Sequence, residues 1–229
     1  MNDNLPELER LEDAVKQYDR ILQAEPNNVQ TWHIRGHILA QLKRYEEAIA
    51  SYDKALAIKA DDVASWYERG YILSGINQHE NAIESYSKAI ELGHNDSETW
   101  YMCGKSYSAI GNLEAALESY EKANTLQPDS GAIWYAQGHA FLGLNRYGAA
   151  RISFSRATHY SPDSAYAWYF YGATLEKTGN LKKALESLNK SLAIEENAHF
   201  LTDRGRMLRQ LGEYDAALKS YDRALELDP

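Results

Sequence analysis

Residues 97–130 read SETWYMCGKSYSAIGNLEAALESYEKANTLQPDS, and Trp100, Gly104, Ala116, Tyr120, Ala123 and Pro128 within them decide the fold. Tryptophan occurs only at Trp32, Trp66, Trp100, Trp134 and Trp168, and every step is 34 residues (66−32, 100−66, 134−100, 168−134). Gly36, Gly70, Gly104, Gly138 and Gly172 follow four residues behind each Trp, and Gly205 continues the series after a step of 33 (205−172). Sixteen behind the Trp come Ala48, Ala82, Ala116, Ala150 and Ala184, a series that Ala14 and Ala217 extend. A bulky residue lies four further on, at Tyr18, Tyr52, Tyr86, Tyr120, Phe154, Leu188 and Tyr221. A fixed period of this size means stacked repeats, each burying its apolar face only against its neighbours.

Within one period, Trp66, Arg69, Gly70 and Leu73 fall at helical spacing over 65–76, and Ala82, Ile83, Tyr86, Ala89 and Ile90 do so over 80–92. Both stretches are predicted amphipathic helices. Gly75-Ile76-Asn77-Gln78, Gly111-Asn112 and Gly179-Asn180 are polar turns inside a period. Glu25-Pro26-Asn27-Asn28, Gln127-Pro128-Asp129-Ser130 and Ser161-Pro162-Asp163-Ser164 separate periods. Proline there ends one helix, and the Asn, Asp or Ser behind it caps the next. No alternating β-branched stretch competes, so the fold is predicted all-α, in antiparallel helix pairs. Gly and Ala at the crossings allow close approach of axes that ordinarily lie about 8–10 Å apart. The five Trp are expected in the core beside those crossings.

The chain has 229 residues, one Cys, and 24 Lys and Arg against 33 Asp and Glu, a net charge of −9. A lone Cys forms no intrachain disulfide, which makes the reducing cytoplasm the default location. Nucleic-acid affinity comes mainly from neutralising phosphates, so the acidic excess argues against that ligand. No apolar run approaches the roughly 20 residues that span a bilayer, and Met1 to Arg10 is polar rather than signal-like. A soluble chain without a membrane partner is expected.

Trp100-x-x-Cys103-Gly104-x-x-Tyr107, then Ala116, Tyr120, Ala123 and Pro128, resembles the tetratricopeptide repeat (TPR), and the likeness runs essentially the full length. It implies a right-handed superhelical solenoid, a single array over 1–229: a partial unit 1–28, then units 29–62, 63–96, 97–130, 131–164, 165–197 and 198–229. The family's Leu position holds Arg35, Arg69, Cys103, Gln137, Tyr171 and Arg204, expected at the edge of a groove. Leu201 stands where the last unit would have Trp. In the partial unit, Pro6 is expected to open a single helix running towards Ala24.

Catalytic chemistry finds no support. Gly104-Lys105-Ser106 resembles the end of a phosphate loop, but Thr99 stands where its first Gly is needed. His79-Glu80 lacks the second His of a zinc protease helix, and Cys103 falls at a packing position. His33 and His37 lie one turn apart without a Cys or carboxylate at ligand spacing, which reads as a polar groove rather than a metal site. No cofactor is expected.

The resemblance implies that first helices line a concave groove for a peptide, through the residues one and five places after the Trp. The first set is His33, Tyr67, Tyr101, Tyr135, Tyr169 and Thr202; the second is His37, Tyr71, Lys105, His139, Ala173 and Arg206, with Arg209 a further groove cation. Tyrosine combines large contact area with few rotors and a hydroxyl, which suits peptide recognition, although Tyr beside Trp also recurs for packing. Lys105, Lys177, Arg206 and Arg209 outweigh Glu98 and Glu176 on this face, favouring an acidic or carboxylate-ended peptide. The Lys and Asn clamp of chaperone-tail binders is missing, as is the asparagine ladder of the sugar-transferase superhelix. The expected function is a non-catalytic scaffold that binds a protein partner's peptide segment. The alternative is a regulatory or targeting segment of a larger enzyme. Uncovered apolar residues at the ends, among them Leu8, Leu218 and Leu225, suggest weak end-to-end self-association.

Overall fold

The computed structural model describes residues 5–228; residues 1–4 and 229, at the outer edges of the first and last predicted units, lie outside the described residues. Among the described residues there are thirteen helices and no strand. They group into two compact units, residues 1–115 and 116–229. The first holds α1 (Leu5–Ala24), α2 (Val29–Gln41), α3 (Tyr45–Ile58), α4 (Val63–Gly75), α5 (His79–Glu91) and α6 (Ser97–Ala109). α7 (Leu113–Leu126) starts at the unit boundary, and α8 (Gly131–Gly143), α9 (Tyr147–Tyr160), α10 (Ala165–Lys177), α11 (Leu181–Ile194), α12 (Ala198–Gln210) and α13 (Tyr214–Leu227) complete the second. Within the units α2 packs on α3, α4 on α5, α8 on α9, α10 on α11 and α12 on α13, and α1, α3, α5, α9 and α11 also touch the first helix that follows them.

The first helices α2, α4, α6, α10 and α12 start where a side chain satisfies a free N–H group. Asn28 accepts from the Thr31 amide at 3.0 Å, Asp62 from Ser65 at 3.2 Å, Asp96 from Thr99 at 2.8 Å and Ser164 from Ala167 at 3.2 Å. Because Asp62 is the cap, α4 begins at Val63, two residues before the predicted start. Ser130 occupies the same position before α8 without a side-chain bond. Helices α1, α7 and α9 stop two residues before Pro26, Pro128 and Pro162.

Each turn inside a repeat contains one left-handed residue: Lys43, Asn77, Gly111, Asn145, Gly179 and Gly212, with φ of 59°, 62°, 78°, 56°, 84° and 82°. The next amide then reaches back five residues, as from Arg44 to Leu39 (2.9 Å) and from Asn180 to Leu175 (2.8 Å), closing the end of the first helix. This conformation turns the chain onto its antiparallel partner.

Tyr52, Tyr86, Tyr120, Phe154 and Leu188 are fully buried together with Ala48, Ala82, Ala116, Ala150 and Ala184. A Cβ on Gly36 would lie 2.8 Å from the Tyr52 ring, so the aromatic of one helix fits only against a bare backbone on its partner. Where Leu188 replaces the aromatic, α11 itself moves in, and a Cβ on Gly172 would meet the Ala184 carbonyl at 3.0 Å.

Two expectations need correction. The tryptophans are half-buried rather than core. Indole N–H needs an acceptor, and Trp32, Trp66, Trp134 and Trp168 donate to the carbonyls of Pro26, Ala60, Pro128 and Pro162 at 2.8–2.9 Å, latching each first helix to the preceding turn. Nor do four members of the polar series point into a groove: Arg35, Arg69, Gln137 and Arg204 reach Ser51, Ser85, Ser153 and Ser220 on their own second helices at 2.6–3.0 Å. A buried Ser recurs at this place in every full repeat, at Ser51, Ser85, Ser119, Ser153, Ser187 and Ser220. Cys103 is buried.

Candidate functional site

In the first unit α2 touches α4 and α4 touches α6, first helix to first helix. His33 packs on Tyr52 with ring centroids 5.6 Å apart, and its Nδ1 lies 3.1 Å from the Ser65 hydroxyl. His37 is exposed and meets Gln41 at 3.1 Å, so the two histidines serve different neighbours. Tyr67 leans on Tyr86 (6.1 Å) and His94 (4.9 Å). Burial first, then the nearby Glu98, pushes its hydroxyl up to about 12. Tyr101 is shifted upward for the same two reasons, and the Lys105 ammonium stands 5.5 Å from its ring.

Tyr71 is 51% exposed. It borders a 420 Å³ pocket with Tyr45, Ser74, His79, Met102 and Lys105. The floor is the flank of α4 and α6, Lys105 supplies one exposed cation, and buried Nδ1 of His79 has no protein partner. A concave, partly apolar site with few polar groups is the usual form of a ligand pocket.

In the second unit the corresponding residues form aromatic clusters. His139 sits against Tyr135 (4.5 Å), Phe154 (5.3 Å) and Phe170 (4.3 Å). Its Nε2 is buried without a protein partner, and burial holds its pKa below the ordinary histidine value. Tyr169 stacks on Phe200 at 4.4 Å with an interplanar angle of 18°, while Tyr166 meets Phe200 at 5.4 Å. Phe170 and Phe200 are residues that the Trp-anchored reading missed. Phe170 lies two places after Trp168, and Phe200 one before Leu201, the position where Trp would recur.

Charge is also distributed differently from the sequence expectation. Arg206 pairs with Glu176 and, at 2.9 Å, with Asp203. These bonds, led by Glu176, hold its pKa above the ordinary arginine value. Its cation is therefore committed within the protein, whereas Arg209 is exposed. Among the described residues, no three His, Cys, Asp or Glu side chains converge as a metal cluster. No helix there is long and apolar enough to cross a membrane.

Family models described as TPR repeat or tetratricopeptide repeat match residues 36–75, 63–92, 97–130, 135–198 and 199–229. No curated protein matches the chain. Among solved structures, YrrB, described as a TPR protein with an unusual peptide-binding site, is similar at 22% identity and a TM-score of 0.72, over 80% of this chain and 94% of that one. A MamA structure is similar at 28% identity and a TM-score of 0.66, over 69% and 92%. MamA from Desulfovibrio magneticus RS-1 aligns at 19% identity and a TM-score of 0.68, over 72% and 94%. These likenesses establish the fold.

Proposed function

The chain belongs to the tetratricopeptide-repeat family, and from that premise we propose a non-catalytic scaffold of the cytoplasm whose first-helix face holds a peptide segment of a partner protein. The units of the register 1–28, 29–62, 63–96, 97–130, 131–164, 165–197 and 198–229 are read as one binding array. The observation that carries the proposal is the pocket bordered by Tyr71, Met102 and Lys105. Tyr71 offers an exposed ring, Met102 an adaptable apolar surface and Lys105 a cation for a carboxylate on the ligand. The reading selects an apolar side chain beside an acidic residue or a carboxylate terminus. With Arg206 bound to Glu176 and Asp203, acid selection rests on Lys105, Lys177 and Arg209. The YrrB description of a peptide-binding site on a similar fold supports the general mode.

Peptides selected from a random displayed library on the immobilised chain test it. The expected winners carry an acidic residue and lose at least about tenfold affinity to Tyr71→Ala with Lys105→Ala, since central aromatic anchors dominate such interfaces. Unchanged affinity, in a variant with unchanged helicity, would remove the site from this face.

A further inference from the structure

We propose that the cleft between α9 and α11 is a second peptide-binding site, which takes an acidic segment through an inserted aromatic side chain. It is distinct from the first-helix face: Trp168, Tyr171 and Leu175 occupy a different side of α10 from Tyr169 and Phe170.

In three other repeats an arginine bridges this seam. Arg35 joins Asp19 (2.7 Å) on the preceding helix to Ser51 (2.6 Å) on the following one, and Arg69 joins Asp53 (2.7 Å) to Ser85 (2.6 Å). Arg204 does likewise between Asn189 (2.7 Å) and Ser220 (2.8 Å). Four periods after Asp19, Arg35 and Ser51 stand Ser155, Tyr171 and Ser187 (155−19 = 171−35 = 187−51 = 136). Ser155 and Tyr171 carry no charges to form the bridge. A 520 Å³ cleft lies there instead, lined by all three residues together with Trp168, Lys183 and Lys190. That volume falls within the roughly 300–1,000 Å³ of ligand sites.

The cleft also carries two exposed lysines, Lys183 and Lys190. One basic residue recurs in each second helix, and at that position Lys88 pairs with Glu91 (2.7 Å) and Arg223 with Glu196 (2.8 Å) and Glu226 (2.7 Å). Lys190 has Ala193 where Lys88 has Glu91, and its ammonium rests 4.1 Å from the Trp168 ring. Lys183 lines the same wall, and His159 lies opposite on α9. Glu186 is the cleft's one acid, so two lysines exceed it on a chain of net charge −9. An aromatic ring would lie along Trp168 and Tyr171, and flanking carboxylates would meet Lys183 and Lys190, where a low-dielectric floor strengthens charge pairing.

The probe is a fluorescein-labelled Asp-Asp-Phe-Asp-Asp peptide, read by anisotropy against the full chain. Tyr171→Arg with Ser155→Asp builds the bridge that Arg35 and Arg69 make in their repeats and is expected to weaken binding at least about tenfold without loss of helicity. Lys183→Gln with Lys190→Gln, on the exposed side of α11, gives the same loss should the first pair fail to fold. The Tyr71→Ala, Lys105→Ala variant keeps wild-type affinity, which separates this site from the first-helix face. The proposal is overturned if the restored bridge binds equally well. Equal binding of Asp-Asp-Ala-Asp-Asp, loss only in the Tyr71, Lys105 variant, or no binding up to about 1 mM would also overturn it.

Discussion

The Tyr169 hydroxyl donates to the Asp203 carboxylate at 2.6 Å, tying α10 to α12. Asp203 also accepts from Arg206, which holds Glu176 on its other side. Both carboxylates are largely shielded by the protein, so the arginine keeps two like charges from facing each other. Arg206→Gln is expected to destabilise the chain by about 1–3 kcal/mol, the cost of leaving such groups without a charged partner. Urea denaturation measures it; an unchanged midpoint would mean that water replaces the guanidinium without loss.

Tyr52 and Tyr86 bury their hydroxyls without a protein partner, and burial holds both phenols above their ordinary pKa. Phe154 occupies the same place in its repeat. Tyr52→Phe or Tyr86→Phe therefore removes an unpaired polar atom and keeps the ring, and each should stabilise the chain by about 1 kcal/mol. A lowered melting temperature would reveal a hydrogen bond that the geometry does not provide.

Lys43 adopts φ 59° at the turn position where Gly111, Gly179 and Gly212 serve elsewhere. A left-handed residue with a Cβ costs about 1–2 kcal/mol, partly offset by the greater unfolded-state entropy of glycine. Lys43→Gly should raise stability by up to about 1 kcal/mol, and Gly179→Val should lower it by at least as much. Thermal melts of the two variants should move in opposite directions.

His139 is packed among Tyr135, Phe154 and Phe170, and burial depresses its pKa. In the unfolded chain it titrates near pH 6.5. Below that value the unfolded state binds the proton more readily, so stability is full above about pH 6.5 and declines as pH falls towards the lower folded pKa. His139→Phe should flatten this part of the stability profile between about pH 5 and 7. A profile unchanged by the substitution would assign the dependence to another histidine.

On α13, Leu218 is 60% exposed and Leu225 is 63% exposed. Covering apolar area is worth about 25 cal/mol per Å², which favours weak self-association of this chain through α13. Sedimentation should show a rising average mass with concentration, abolished by Leu218→Glu with Leu225→Glu. A strict monomer at high concentration would leave the face without a role in assembly.

The 34-residue spacing of Trp32, Trp66, Trp100, Trp134 and Trp168, with Gly36 and Ala48 behind the first of them, determined the helix pairs and their packing faces. Local rules sufficed, because caps such as Asn28 and Asp62 act within three residues and Gly36 answers to Tyr52 at a fixed offset. The reach of long side chains was a different matter. Helical spacing assigns Arg35 to a face but not to Asp19 and Ser51, sixteen residues either way, and the indole of Trp32 belongs equally to a core or to the Pro26 carbonyl by period alone. A buried Ser at each period from Ser51 to Ser220 was the available signal for those arginines. Tertiary structure alone commits Arg206 to Glu176 and Asp203 and opens the cleft at Tyr171, because both depend on which charges from different helices come within bonding distance.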